Sequence, residues 1–391
     1  MVGTTLPPLP QQTAAAAATP IWCLVCGDYG GVDVTLNLLL FIPFAVGVRL
    51  VGARTTIIVA AGAAISLLIE ALQFFIIVGR DASLSDVVTN TLGSLAGAVI
   101  GGQAPHLLFP TRRQAVHLAV LGAVIWVTVQ AATALLLLPW SPSAGLSGVW
   151  VRSVPGRPPF DGTVTSAVVS GFTVPDEASP PGPELARRIN RGDVRVDVRL
   201  RVGTNAAVWS PVFELRAAHG PVLSLEAIRN DLAFQPAMRS HQLRLRRPAL
   251  RLPAALGSEA GTPVQVAAGE RSGTIWARWT VGGITHASSQ ALGPSLGWTF
   301  ITPIRHSFGP EVYWITAIWL ATWLAPIGYW SARAELTHAG KIGGMMLLLG
   351  SGLGFLPLLS GYPAVHWSEW LGGIVGLGLG YTGHRSAAYF R

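Results

Sequence analysis

The sequence predicts a multi-domain membrane protein: an α-helical transmembrane bundle of about seven spans, with an antiparallel β-sandwich of jelly-roll type inserted into it. Three observations predict this. Apolar residues crowd into 34–138 and 311–384 and thin out between them. Half of the 391 residues are hydrophobic and only 12% are charged, about half the usual share for a soluble chain. From 145 to 303 apolar and polar residues instead alternate in short runs separated by Gly, Pro and Asn. The chain thus divides into an N-terminal segment (1–33), a first helical group (34–138), a β-sandwich (145–303), a second helical group (311–384) and a short tail (385–391).

Seven hydrophobic segments account for the helices: 34–51, 57–79, 86–102, 115–138, 311–330, 341–360 and 366–384. Several approach the ~20 residues a bilayer requires. The third, DVVTNTLGSLAGAVIGG, is rich in small residues. Its Gly93 and Gly97 form a G-x-x-x-G suited to close helix packing, and a re-entrant hairpin is the alternative reading.

Short cytoplasmic loops retain Arg and Lys, which sets the orientation. With seven spans and the central domain outside, Arg49, Arg54, Arg112, Arg113, Arg333, Lys341, Arg385 and Arg391 fall on the cytoplasmic side, and of the bundle's basic residues Arg80 alone falls on the outer side. The expected location is a membrane crossed several times by the chain, with the β domain extracytoplasmic. Residues 1–30 carry neither a basic n-region nor a long apolar core, so either the first span inserts as a reverse anchor or a helix precedes it.

The formal charge of +8 and pI near 10.3 do not point to nucleic acid, because Lys341 is the only lysine and no dense basic patch is present. Eighteen arginines against eleven acids give the central region about +7, which suits a solvated surface or anionic lipid headgroups. The cysteines are Cys23 and Cys26 only, one C-x-x-C. A single pair cannot complete a four-ligand zinc site, so no metal or cofactor is expected, and a local disulfide or two free thiols remain open.

The informative chemistry lies in the first three spans. Asp33 and Asn37 stand four apart on one helix face. Glu70 and Gln73 lie roughly 9 to 14 Å below the outer end of the second segment at ~1.5 Å per residue. Asp86 and Asn90 begin the third, with Arg80 in the connecting loop. A carboxylate as deep as Glu70 costs at least ~2.5 kcal/mol on insertion scales, so it should face protein or water and have a partner. These seven residues form a candidate polar pocket, with Glu70 and Arg80 as its central pair. They can equally serve to tie three helices together.

The order D-x-x-x-N, LFIPFAVG, E-x-x-Q, R, D-x-x-x-N-x-x-G-x-x-x-G, carried by Asp33, Asn37, Pro43, Gly47, Glu70, Gln73, Arg80, Asp86, Asn90, Gly93 and Gly97, resembles the VanZ-like family of bacterial membrane proteins over about residues 20–102. That resemblance implies a link to low-level glycopeptide tolerance but no settled reaction. The last three spans read as a faded copy of the first three. Glu369 stands where Asp86 stands, while the counterparts of Glu70, Gln73 and Arg80 have lost their polar groups. His366 and Glu369 read as contributors to the same outer vestibule or as an interfacial pair beside Trp367 and Trp370.

In the central domain VRVDVRLRV (194–202) alternates strictly, and PVFELRA, PVLSLEAI, HQLRLRRPALRL and TIWARWTVGG read as further strands. Their order, with WSPVFELRA, LSLEAIRNDLAF and the closing LGWTFITP, resembles a concanavalin A-like (laminin G-like) domain, which implies carbohydrate or ligand binding. No E-x-D-x-x-E pair of glycosidase type is present. Glu226 with Asp231 is the nearest acidic cluster and reads as surface, and Asn190 with Asp193 or Asn230 with Asp231 are poorly specified calcium candidates.

The expected function is a non-catalytic cell-envelope protein that binds an extracytoplasmic glycan or glycolipid, with membrane lipid as its other partner. The alternative is a membrane enzyme acting on a lipid-linked cell-wall substrate, with Glu70 as general base. No Ser-His-Asp order or HExxH supports it. A transporter would call for matched polar sites in both halves, which the second copy lacks.

Overall fold

The computed structural model describes residues 23, 25, 28–75, 83–153, 159–204, 207–218, 220–302, 308–334 and 337–389. Its first three helices are α1 (Gly30–Leu50), α2 (Thr55–Phe75) and α3 (Leu84–Gly102). A short α4 (Ala104–Leu108) leads into α5 (Arg112–Leu136), whose start is fixed by a reciprocal Thr111–Gln114 capping box. A nine-residue helix, α6 (Gly182–Asn190), belongs to the β domain. The chain then returns to long helices: α7 (Glu311–Arg333), α8 (His338–Leu359, with a π turn at Gly350–Phe355) and α9 (Trp367–Tyr389).

Five of these, α1, α2, α5, α7 and α8, are long and apolar enough to cross a membrane. The expected count of about seven had included α3 and α9, which are long but less apolar. Their composition follows from packing. The buried residues of α3 are Ser85, Thr89, Asn90, Gly93, Ser94, Gly97, Ala98 and Gly101, a small and polar face turned to other helices.

Glycine at every fourth position lets backbones meet. On α3, Gly93 lies against the Leu38 carbonyl, Gly97 against Ile42 and Ala45, and Gly101 against Arg49, all on α1. On α9, Gly372, Gly376 and Gly380 lie against the carbonyls of Ala317, Ala321 and Ala325 on α7. The two trios share one register: Leu38 and Ala321, Pro43 and Pro326, Leu50 and Arg333, Thr55 and His338, Leu84 and Trp367, and Gly93 and Gly376 are each 283 positions apart. These pairs include the internal prolines of α1 and α7 and matching helix ends.

Between the trios lies a sandwich of two antiparallel sheets, ordered β1-β5-β6-β7-β8 and β11-β10-β9-β4-β2-β3. The strands are β1 (Ser147–Trp150), β2 (Thr163–Val169), β3 (Phe172–Thr173), β4 (Val194–Arg201), β5 (Ala207–Ala217), β6 (Gly220–Arg229), β7 (Asp231–Gln235), β8 (Leu250–Leu252), β9 (Pro263–Arg271), β10 (Thr274–Val281) and β11 (Ile284–Ala291). Val194, Val196, Val198 and Leu200 of β4 are buried while Arg195, Arg199 and Arg201 are exposed, as the alternation requires. They pack in one core with Phe213, Leu215, Leu223, Leu225, Val266 and Trp279. The β9–β10 turn uses Ser272 and Gly273, and the β10–β11 turn uses Gly282 and Gly283, all at positive φ as a tight hairpin demands.

One predicted strand is not formed. HQLRLRRPALRL holds a 3-10 turn (Arg239–Leu243), a left-handed Arg244 and irregular chain, and only Leu250–Leu252 pairs. This segment leaves the sheet to meet the helices. The Arg239 N–H donates to the Leu138 carbonyl at 2.9 Å, and Gly31 of α1 sits against the Leu243 carbonyl. A second loop, Pro294–Phe300, reaches the other trio. There Trp298 Nε1 donates to Thr316 Oγ1 at 3.1 Å, and Gln130 of α5 donates to Ser295 at 3.3 Å.

Glu270 on β9 is buried beside Tyr362, and burial pushes its carboxyl above the ordinary glutamate range. Its Oε1 accepts the Gly273 N–H at 2.8 Å, while Oε2 has no partner among the described residues. A raised acid favours the fold fully below the unfolded pKa, and that contribution drains away as pH rises through the folded value. Glu270→Gln is neutral at every pH. It should raise Tm by a few degrees at pH 8 and leave it unchanged at pH 4 in a thermal melt of the detergent-solubilised chain, whereas an equal gain at both would exclude charge burial as the cause.

Candidate functional site

Ser66, Glu70 and Gln73 recur at the i, i+4, i+7 positions of α2, so a single face of the helix carries them inward. All three are buried. One turn earlier Gly62 lies against Ser94, which lets α3 approach this face closely. Glu70 Oε2 accepts the backbone N–H of Ser83 at 2.6 Å, at the N-cap of α3. An N–H left without an intrahelical partner is thereby satisfied, and a carboxylate is placed at the positive end of a helix.

Asn90 Nδ2 donates to Ser66 Oγ at 2.9 Å, and its buried Oδ1 has no partner among the described residues. Asn37 of α1 hydrogen-bonds the Asp86 carboxyl, and Asp86 in turn lies close enough to Asp33 and to Glu70 for charge repulsion. Exposure runs along the cluster from buried Glu70, Gln73 and Asn90, through half-buried Asp86 and Asn37, to exposed Asp33. At that open end the β domain contributes Arg246, which attracts Asp33 and lies over the Tyr29 ring at 5.1 Å from its centre.

Five of the seven predicted residues therefore meet, Asp33, Asn37, Glu70, Asp86 and Asn90, while Gln73 is buried on the same face of α2 as Glu70. Arg80, the predicted partner of Glu70, lies outside the described residues, and the described part of Glu70's surroundings supplies a backbone N–H instead. Sequence reasoning missed Ser66, although it precedes Glu70 by one helical turn. It also missed Arg246, for which no local signal exists.

The β domain holds a second polar cluster, and here one expectation is corrected. Glu226 is not at the surface but 1% exposed, held by Trp209 Nε1 and by Ser224 Oγ at 3.2 Å. Beside it Glu214 is ion-paired with Arg216 at 2.8 Å and Arg152 at 3.2 Å, and both arginines also pair with Asp28, just before α1. Arg247 is fully enclosed against carbonyls of β6 and of Pro236, and burial pushes its pKa down. Asp28 and Tyr29, in the chain entering α1, lie against the sheet face that alternation reads as solvated.

The other candidates have structural uses. Asp231 pairs with Arg251 and accepts the Ala254 N–H at 2.7 Å, and Asn190 bridges both backbone groups of Ser141. Cys23 is disulfide-bonded, and Cys26 lies outside the described residues. No three His, Cys, Asp or Glu side chains among the described residues could hold a metal ion. His366 and Glu369 are not part of the α1–α3 cluster but line a separate cavity beneath the Pro294–Phe300 loop.

Residues 6–102 match the VanZ/LLP1 family, so the domain built by α1–α3 is of that kind. No curated protein and no solved structure matches the chain.

Proposed function

We propose, with the VanZ/LLP1 domain as premise, that this membrane protein is a non-catalytic receptor of the bacterial cell envelope that holds the polar head of an extracytoplasmic glycan or glycolipid between α1–α3 and the β-sandwich. One observation carries the reading: three carboxyl groups, Glu70, Asp86 and Asp33, run from buried to open and end under Arg246 of the β domain. Grouping acids in an apolar bundle is costly and packing does not need it. Carboxylates, two amides and a guanidinium together offer the donors and acceptors a hydroxyl-rich head requires.

On this reading the arginine-rich helix ends are cytoplasmic and the sandwich, of concanavalin A-like (laminin G-like) type, is extracytoplasmic. The trios α1–α3 and α7–α9 are copies of one unit, supported by the shared 283-residue register. Glycopeptide tolerance is the cellular property such a receptor would influence.

The test is retention of envelope glycolipid by the full chain in nanodiscs, read by native mass spectrometry. Wild type should retain a defined species, and Glu70→Gln and Asn90→Ala should lower retention at least about tenfold with Tm preserved. Arg246→Ala should lower it several-fold through the β-domain side alone. Undiminished retention in folded Glu70→Gln and Asn90→Ala proteins would remove the pocket from the function. Conversion of the retained species with time would replace the receptor by the enzyme.

A further inference from the structure

The C-terminal trio has lost the counterpart of Glu70, since Leu353 stands 283 positions on, but it keeps an acid at the start of its third helix. Ser368 and Glu369 on α9 correspond in this register to Ser85 and Asp86 on α3. Glu369 lines a cavity of about 120 Å³ enclosed by the end of β11 (Gln290, Ala291), Leu296, Tyr313 and Thr316 of α7, and His366. That is room for several waters, or for a charged head on a short stem.

The polar groups around this cavity are almost all occupied by one another. Thr316 Oγ1 accepts from Trp298 and donates to the Val312 carbonyl at 2.7 Å. Gln290 spends its Nε2 on the Ala291 carbonyl, which leaves its oxygen as an acceptor. His366 Nδ1 lies 2.9 Å from Ser368 Oγ and 3.3 Å from the Ser368 nitrogen, and the ring stacks on Tyr313 with centres 4.0 Å apart. Gln130 donates to Ser295, and Ser295 donates to the Glu369 carboxyl.

Glu369 is the exception. Its Oε1 accepts the His366 N–H at 3.4 Å, but among the described residues its buried Oε2 has no hydrogen-bond partner. Among the described residues no arginine or lysine neutralises it. A buried carboxylate oxygen without donor or counter-charge carries a large desolvation cost, which a cationic donor would remove. The unfilled requirements of the cavity are therefore acceptors, namely Glu369 Oε2 and the Gln290 oxygen, beside an aromatic wall that favours a cation.

We infer that the C-terminal trio holds a ligand site of its own, in which Glu369, Gln290 and the Tyr313–His366 stack take the ammonium head of a primary amine. The site stands on its own cavity and does not depend on the α1–α3 pocket. The ammonium could belong to a lipid headgroup or to a free amine. Donation of N–H bonds is the discriminating chemistry, because a trimethylated head has the charge without the donors.

The full chain would be reconstituted in phosphatidylglycerol nanodiscs with phosphatidylethanolamine or phosphatidylcholine added, and in detergent with free ethanolamine or choline. Binding would be read by native mass spectrometry and by thermal shift. Ethanolamine should exceed choline by at least about tenfold in one arm, and Glu369→Gln, which keeps the shape, should abolish that preference. Preference in the nanodisc arm alone identifies the lipid headgroup, and preference in both arms identifies the amine itself. Equal binding of ethanolamine and choline by wild type, no binding of either, or an undiminished preference in Glu369→Gln would each overturn the inference. Glu70→Gln should leave this preference intact, so the two sites fail separately.

Discussion

Gly97→Leu is expected to prevent assembly of the first trio. A Cβ at Gly97 would stand 2.7 Å from the Ala45 Cβ and 3.0 Å from the Ile42 Cα, and closer still to the Ile42 carbonyl. Main-chain atoms cannot swing aside, so α1 and α3 would have to separate and release the neighbouring contacts of Gly93 and Gly101. Overpacking of a core commonly costs ~1–3 kcal/mol, and a backbone clash shared along a whole helix seam should exceed ~3 kcal/mol. The measurement is the yield of monodisperse protein and its Tm. Gly47→Leu on α1, where nothing lies within 4 Å, is the matched control and should behave as wild type. Equal behaviour of the two would show that the seam does not hold the trio together.

Glu214→Ala should be nearly as damaging, through the β domain. The Glu214 side chain is 3% exposed and compensates both Arg152 and Arg216. Removing it leaves two guanidiniums with, among the described residues, Asp28 alone between them. Deleting one partner of a buried pair costs ~3–5 kcal/mol, and the partial exposure of both arginines places the loss near the lower end. Adding Arg216→Met should recover part of the loss, because the excess charge then falls. Denaturation of the four proteins completes the cycle, and strictly additive losses would exclude the coupling.

Much of this fold was legible because the pattern had a physical period. The VRVDVRLRV run could only be a half-buried strand, and the apolar segments fell on helices because ~20 apolar residues have few other fates. Five of the polar positions met because residues four apart on a helix share a face. The same rules failed where a surface was covered by something distant in sequence. HQLRLRRPALRL alternates like a strand, yet its arginines serve contacts with Tyr29, Val25 and Asp33 on the way into α1. Glu226 read as solvated because alternation separates two faces but does not say what lies against the second. Hydropathy placed α3 and α9 among the spans without showing that their small residues are spent on neighbouring helices.

The two loops that leave the sandwich, Arg239–Leu243 with the chain beyond it and Pro294–Phe300, land on different trios. At the far end of the bundle Trp330 of α7 donates to the Leu107 carbonyl at 2.9 Å, and Tyr329 reaches Leu108. The first and last trios are thus bridged at both extremities by segments belonging to neither helix core. Such an arrangement is a yoke: a tilt of one trio against the other must strain the loops that tie each of them to the sandwich. Occupancy beneath one loop would then be felt beneath its counterpart as a change in strain.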